Sequence, residues 1–276
     1  MKNTKAKNPK LAISLKIAKI LVIAIISIHI IHGLTLDRIV QYKEVSFHSP
    51  RIPAEIDGYR IAFISDTHRN SDRRFERIVE RLNDLHIDLL ILGGDYAPTN
   101  RMRRVMEILS QVNTTDGIFG VEGNHDNYRI LFEAMRENNI TPLSNNGVHI
   151  RENFFLAGLE DLLNRNADIA QATSDAAPDD FVLLITHHPD VTMRQDTANI
   201  DLILAGHTHG GQMTFFGLWG PATNFVSRYG QRFMSGWAES RDGTPVYVSN
   251  GVGEYMPRIF ARPQVIIVTL VYESGD

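Results

Sequence analysis

Apolar and polar positions divide the chain into one N-terminal apolar run and a body in which short apolar segments alternate with amphipathic ones. The run extends over residues 11–31, with an unbroken centre at residues 20–26. Roughly 20 such residues can cross a hydrocarbon core. Lys16, Lys19 and His29 interrupt it, so the two lysines lie near, or snorkel toward, the N-terminal interface. After a linker containing Pro50 and Pro53, Gly58 opens the body, and residues 59–64 read as a short buried strand that ends at Asp66. Phe75, Ile78, Val79 and Leu82 then recur at helical spacing, with arginines on the remaining faces, predicting a helix over 75–85. A strand over 88–92, a helix over 102–109, a strand over 117–121 and a helix over 128–138 continue the alternation. Further strands are expected at 154–157, 181–185, 201–205, 245–249 and 265–271, and a polar helix followed by a loop at 164–180. Residues 210–237, rich in glycine and aromatics, show no period, and a loop that long in a compact domain is often functional. No internal repeat is present. Strand and helix alternating at this spacing predict an α/β sheet, whose ligands bind beyond the carboxyl ends of the strands.

The N-terminal run divides the chain into an anchor region at 1–35, a linker at 36–57 and a body at 58–276. An uncleaved signal anchor fits the run best. A cleaved signal peptide is the rival, but no small-residue cleavage site follows, and an interfacial amphipathic helix is the other alternative. Lysines crowd its N-terminal flank, whereas Arg38, Lys43 and Arg51 are sparser on the other. That bias places the N-terminus in the cytoplasm and slightly favours a body on the extracytoplasmic face over a cytoplasmic one.

Composition narrows the chemistry. At 276 residues, 43% of them hydrophobic, the chain suffices for one sizeable domain plus an appendage. It contains no cysteine, so disulfides, Cys-type zinc sites and iron–sulfur clusters are excluded. Any metal must be held by nitrogen and oxygen, for which the 11 histidines, with Asp and Asn, are the supply. Lys2, Lys5, Lys7, Lys10, Lys16 and Lys19 precede residue 20, and removing their charges takes the formal net charge from -4 to about -10. An acidic body does not fit a general nucleic-acid-binding surface.

The chemistry-bearing residues fall where predicted strands end. Asp66 and His68 alternate along one strand end, so both can face one side. Asp66 alone would read as a helix cap, and Asp95 after Gly93 and Gly94 as a turn residue. The set is stronger than its members, because Asn124, His125 and Asp126 follow Gly123, His187 follows an apolar run, and His207 and His209 follow Gly206. Mixed carboxylate, imidazole and amide-oxygen donors suit manganese, iron or zinc.

In order and spacing, Asp66-x-His68, Gly94-Asp95, Gly123-Asn124-His125-Asp126, His187 and Gly206-His207-x-His209 resemble the five motifs of the calcineurin-like metallophosphoesterase superfamily. The stretches 206–212, 227–230 and 248–253 are similar to the bacterial membrane-anchored YaeI/YkuE-like phosphodiesterases. The resemblance covers residues 58–271. It departs in Arg69 and Asn70 after His68 and in His188 after His187. It implies an α/β/β/α sandwich with a dinuclear site at the carboxyl ends of the strands. By motif position, it implies two divalent ions, manganese first and iron or zinc as alternatives, bridged by Asp95. One would also be held by Asp66, His68 and His209, the other by Asn124, His187 and His207. His125 would stand beside the phosphate, oriented by Asp126, while His188 stays outside the set.

Hydrolysis of a phosphodiester or pyrophosphate by a metal-activated hydroxide is the function this resemblance implies, and the anchor favours a lipid-linked or envelope substrate. The more specific alternative is a UDP-diacylglucosamine pyrophosphohydrolase of lipid A synthesis. A phosphomonoesterase or protein phosphatase follows, and a scaffold without catalysis comes last. Arg69, Arg101 and Arg104 are candidate phosphate contacts, with a solvated helix face as the plain alternative. Phe215, Phe216, Leu218, Trp219, Phe225, Tyr229, Phe233 and Trp237 either pack their loop onto the sheet or form an apolar lip for an acyl chain or the bilayer.

Overall fold

The structure is a computed structural model, and it describes residues 9–253 and 257–274. Lys2, Lys5 and Lys7, on which the flank-charge expectation partly rests, lie outside them. Helix α1 (Pro9–Leu34) carries the N-terminal apolar run, and its large side chains from Ile13 to Ile31 are mostly exposed. Over Ala12–Arg38 the chain is long and apolar enough to cross a membrane.

The body is built on two six-stranded sheets. Strands β1 (Gln41–Ser49), β2 (Arg60–Ile64), β3 (Leu89–Gly93), β4 (Ile118–Val121) and β5 (Ile140–Pro142) belong to the first. The second contains β6 (Asn146–Arg151), β7 (Phe154–Gly158), β8 (Phe181–Thr186), β9 (Leu202–Ala205), β10 (Gly236–Glu239) and β11 (Pro245–Val248). Strand β12 (Gln264–Tyr272) returns to the first sheet, giving the orders β1-β12-β2-β3-β4-β5 and β10-β11-β9-β8-β7-β6. Strands β2 to β5 run parallel, as do β7, β8, β9 and β11.

Continuous apolar runs such as Ile61-Ala62-Phe63-Ile64 reflect strands covered on both faces. Ile61 and Phe63 join Leu89, Ile91, Leu156 and Leu183 between the sheets. Ala62 and Ile64 instead face helices α2 (Asp72–Leu85), α3 (Met102–Leu109) and α4 (Tyr128–Glu137) through Phe75, Leu82, Val105 and Leu131. Each such buried Leu, Ile or Phe contributes about 1.5–3 kcal/mol relative to exposure. The outer face of the second sheet is covered more thinly, by α5 (Ile169–Ala172), Val191 and Phe233. The result is the expected sandwich with two sheets at its centre.

Two expectations need correction. Residues 41–49, placed in the linker, form β1, paired along its length with β12. Within 164–180 only α5, four residues long, is helical. The loop at 210–237 holds the short helix α6 (Thr223–Val226) and, near its end, the start of β10, which pairs antiparallel with β11. Strands β5 and β6 were not expected either, while the remaining strands and helices α2 to α4 lie within a few residues of their expected places.

Candidate metal centre

Six loops that follow β2, β3, β4, β8, β9 and β11 converge on one edge of the sandwich. Their backbones are bent sharply: Asp66, His68, Asp95, His207 and His209 all have positive φ, between 41° and 72°. Such angles are uncommon for residues with a side chain and accumulate at functional sites. The glycines beside them give room. A Cβ on Gly94 would come within 2.7 Å of the His187 ring and of the Gly123 nitrogen, and one on Gly206 within 2.5 Å of the Asp66 carboxylate.

Two clusters result, buried except for the partly exposed His209. In the first, His209 Nε2 lies 3.4 Å from Asp66 Oδ1 and 3.0 Å from His68 Nε2. In the second, His187 Nε2 lies 3.3 Å from Asp95 Oδ2, 3.9 Å from Asp66 Oδ1 and 3.3 Å from His207 Nδ1. His68 Nε2 stands 3.9 Å from Asp95 Oδ2, so Asp95 lies between the clusters. The ligand atoms of Asp66, His68 and His209, and those of Asp66, Asp95 and His187, lie close enough to share an ion.

The donor set fits cations for a reason of hydrogen bonding. His187 Nδ1 faces the Gly93 carbonyl at 2.8 Å and His207 Nε2 faces that of Val226 at 3.0 Å. Both nitrogens therefore carry protons, leaving His207 Nδ1 as a lone pair that faces His187 Nε2 at 3.3 Å, while Asp95 Oδ2 faces the same Nε2 at 3.3 Å. Deprotonated, as a metal-bound imidazole is, His187 Nε2 would present a second lone pair to His207 Nδ1 across that 3.3 Å. Two nitrogens bound at about 2.1 Å to one cation would have that separation. Asn124 Oδ1 and His209 Nδ1 are buried with no hydrogen-bond partner, and the Asn124 oxygen is a free acceptor. The carbonyl contacts are the kind of outer support that fixes the tautomer of a metal-binding imidazole.

Protonation matches. Burial pushes His207 down to about 4 and His209 to about 3, and lowers His68 too, so these rings are neutral at pH 7, the form a metal requires. Burial would raise Asp66, but His209 and His187 outweigh it and hold the carboxylate ionised. Burial would lower His187, yet the Asp95 charge beside it carries the imidazole up to about 10.

His125 donates its backbone N–H to Asp95 Oδ1 at 2.8 Å, and its ring centroid lies 5.8 Å from that of His68. Both border a cleft with Asp95, Arg69, Ala97, Pro98 and Asp126. A second cavity of about 290 Å³ shares His68, Asp95 and His125 and runs past His207 and His209 to Met213, Ala222 and Val226. Arg69 thus reaches the site, whereas Arg101 and Arg104 turn to Asp72 in a surface ion-pair network between α2 and α3. His188, buried and stacked on His207 with centroids 4.0 Å apart, accepts from the Asp190 N–H and covers that ring.

A family profile described as calcineurin-like phosphoesterase matches residues 59–211. The chain belongs to the calcineurin-like phosphoesterase family. It is a phosphoesterase hydrolase of a family that binds a dinuclear metal site, and its own Asp and His clusters could hold metal. It is 28% identical over 263 residues to a metallophosphoesterase of Campylobacter jejuni, covering 89% of this chain and 68% of that one. It is similar to Bacillus subtilis YkuE at 27% identity, over 84% of this chain and 85% of YkuE. A Danio rerio transmembrane protein with a metallophosphoesterase domain is 27% identical, over 82% of this chain and 56% of that protein.

One supporting residue lacked a signal in the motifs. Arg258, buried, donates to the carbonyl oxygens of His209, Gly253 and Ala261. An arginine five residues beyond Gly251-Val252-Gly253 had no period or spacing to single it out.

Proposed function

We propose that this phosphoesterase hydrolyses a phosphodiester or pyrophosphate bond, with Asp95 shared between two divalent ions, manganese first. Asp66, His68 and His209 would complete one ligand set and Asn124, His187 and His207 the other. The observation that carries the assignment is the buried approach of His187 Nε2 to His207 Nδ1 and to Asp95 Oδ2, 3.3 Å from each, together with the buried, unpartnered Asn124 oxygen. Two bound divalent ions supply a water of lowered pKa and neutralise charge on the phosphoryl oxygens.

The chain's own groups do the rest. Asp66 and Asp95 are held ionised and His68, His207 and His209 neutral, so the site presents a fixed anionic cradle. His125 is placed at the cleft wall to give a proton to the leaving oxygen, and Arg69 to fork onto a phosphate oxygen. Asp126 positions the loop that carries Asp95. The second cavity, polar at His68 and His207 and apolar at Met213, Ala222 and Val226, favours a lipid-linked substrate. The apolar helix α1 supports attachment to a membrane, with the extracytoplasmic face favoured for the body.

The test is hydrolysis of bis(p-nitrophenyl) phosphate beside p-nitrophenyl phosphate by the detergent-solubilised full chain. Preference for the diester, abolished by chelator and restored by manganese, is the expected result. Hydrolysis of the monoester alone, or activity indifferent to chelator, would overturn the proposal.

A further inference from the structure

His29, on the apolar helix α1, stacks on Phe215 with centroids 5.4 Å apart and meets Phe216 and Phe260 edge-on at 4.6 and 4.9 Å. His32 stacks on Phe260 at 3.9 Å. Backbone bonds from Thr214 to Ile259 and from Phe215 to Trp219 hold residues 213–219 together as one tight turn. The turn is thus fastened to α1 five residues, or about 7.5 Å, short of the last helical residue, Leu34. The helix remains apolar and open beyond that level, with Ile30, Ile31 and Leu34 all more than half exposed.

The outer side of the same segment is apolar and open too. Leu218 is 80% exposed, Phe225 90%, Trp219 52% and Phe215 50%. Residues 210–237 contain no Asp or Glu and carry Arg228 and Arg232. Large apolar side chains exposed this closely along one segment mark an interaction site. Its partner is set by continuity: any bilayer that takes up α1 as far as Ile31 and Leu34 reaches the depth at which Phe215 and Phe216 touch His29. Tryptophan and phenylalanine suit that boundary, and the absence of carboxylates avoids repulsion from anionic lipids.

We infer that residues 213–226 are seated in the membrane interface beside α1, so that the metal cleft opens at headgroup level. The inner face of the segment, Met213, Ala222 and Val226, walls the cavity that begins at His68, Asp95 and His125. One segment therefore meets the bilayer on one side and the reacting phosphate's surroundings on the other. A lipid phosphate reaches the ligands with its first methylenes along Met213 and Val226, never leaving the interface. The inference deepens the proposed function and rests on it for the choice of substrate in the activity arm of its test.

Full-length protein bearing Trp237→Phe keeps Trp219 as its one tryptophan. It is reconstituted in vesicles of phosphatidylcholine and phosphatidylglycerol, with chains brominated near the headgroup end. Brominated lipid is expected to quench Trp219 emission, and aqueous iodide to leave it largely unchanged. Quenching by iodide alone, in protein that floats with the vesicles, overturns the inference. So does a stable dimer in detergent that protects Trp219 before any lipid is added, which would assign the patch to a second copy of the chain. In the activity arm, Leu218→Asp combined with Phe225→Asp should lower hydrolysis of a vesicle-borne nitrophenyl diester of diacylglycerol roughly tenfold. Turnover of soluble bis(p-nitrophenyl) phosphate should be unchanged. Equal losses on both substrates, or on neither, count against membrane seating. If the unaltered chain cleaves neither diester, the proposed function fails, while the quenching result still decides the seating.

Discussion

The carboxylate of Asp126 accepts the backbone N–H of Asp95 at 2.7 Å through the same oxygen, Oδ2, that accepts the Gly123 N–H at 2.9 Å. Its other oxygen takes the Tyr96 N–H at 3.0 Å. Three amides from two loops thus close on one half-buried side chain, and the loop carrying Asp95, the proposed shared ligand, is fixed to the loop carrying Asn124 and His125. Burial and the Asp95 charge push Asp126 up to about 7, against the pull of those amides. Asp126→Asn would turn an N–H₂ toward one of the amide donors. It should cost about 1–3 kcal/mol of stability and lower metal content. Thermal unfolding and elemental analysis check this; a stable variant with full metal content would show that the amides find other partners.

Ligand and proton donor should separate experimentally. Asp95→Ala is expected to lose metal and activity together, since Asp95 stands between both clusters. His125→Ala should retain metal and lose about 10²–10⁴-fold in kcat. Metal content and turnover measured on the same preparations decide it, and loss of metal in His125→Ala would make His125 a ligand.

How much of this site could be read before the fold was known differs from residue to residue. Asp66, His68, Asp95, His187, His207 and His209 were legible because parallel strands covered on both faces leave continuous apolar runs, and the polar residues that end those runs must meet at one sheet edge. Strand β1 was not recognised although Val45 and Phe47 alternate with Glu44, Ser46 and His48, because Pro50 and Pro53 nearby gave the segment the look of a linker. Arg101 and Arg104 follow a metal motif in sequence, but helix α3 directs them to Asp72, a pairing between two helices that no local pattern reveals. The contact of His29 with Phe215 joins residues nearly 190 positions apart and had no signal at all.

The arginines provide a direct contrast. Arg69→Ala should raise KM for the diester with little change in kcat, because its side chain borders the cleft. Arg101→Ala and Arg104→Ala should leave both constants nearly unchanged, since exposed ion pairs contribute little. Steady-state kinetics on the three variants is the check; a KM effect in Arg104→Ala equal to that of Arg69→Ala would place both at the substrate.

Arg258 is the test of how far support extends beyond the ligands. Its guanidinium holds the His209 carbonyl at 3.1 Å and that of Ala261 at 2.9 Å, while Asp37 caps the Phe260 and Ala261 amides from the end of α1. Arg258→Met should fill the space but leave buried carbonyls without a donor, at about 3 kcal/mol. The His209 loop should loosen, so metal affinity should fall before folding is lost. Titration with manganese against chelator and thermal unfolding separate the two effects.

Protons should move when metal binds. In metal-free protein His187 is held protonated near neutral pH, because its imidazole is carried to about 10 beside Asp95. Binding to its Nε2 must release that proton, so affinity should rise with pH up to the His187 value. The other rings act oppositely. His207 and His209 titrate at about 4 and about 3, below the ordinary 6.5, so they take no proton from pH 7 down to about 5 in the fold. For stability of the metal-free protein the signs follow from linkage. The raised His187 contributes stability that is complete below 6.5 and is lost as pH climbs toward 10. The lowered His207 and His209 contribute stability that is complete above 6.5 and is lost as pH falls toward 4 and 3. Chelator-treated protein should therefore be most stable near pH 6–7, and loading at pH 7 should release about one proton for the ion bound at His187. Calorimetric titration in two buffers of different ionisation enthalpy measures that release. A value near zero would mean that His187 is already neutral before metal arrives.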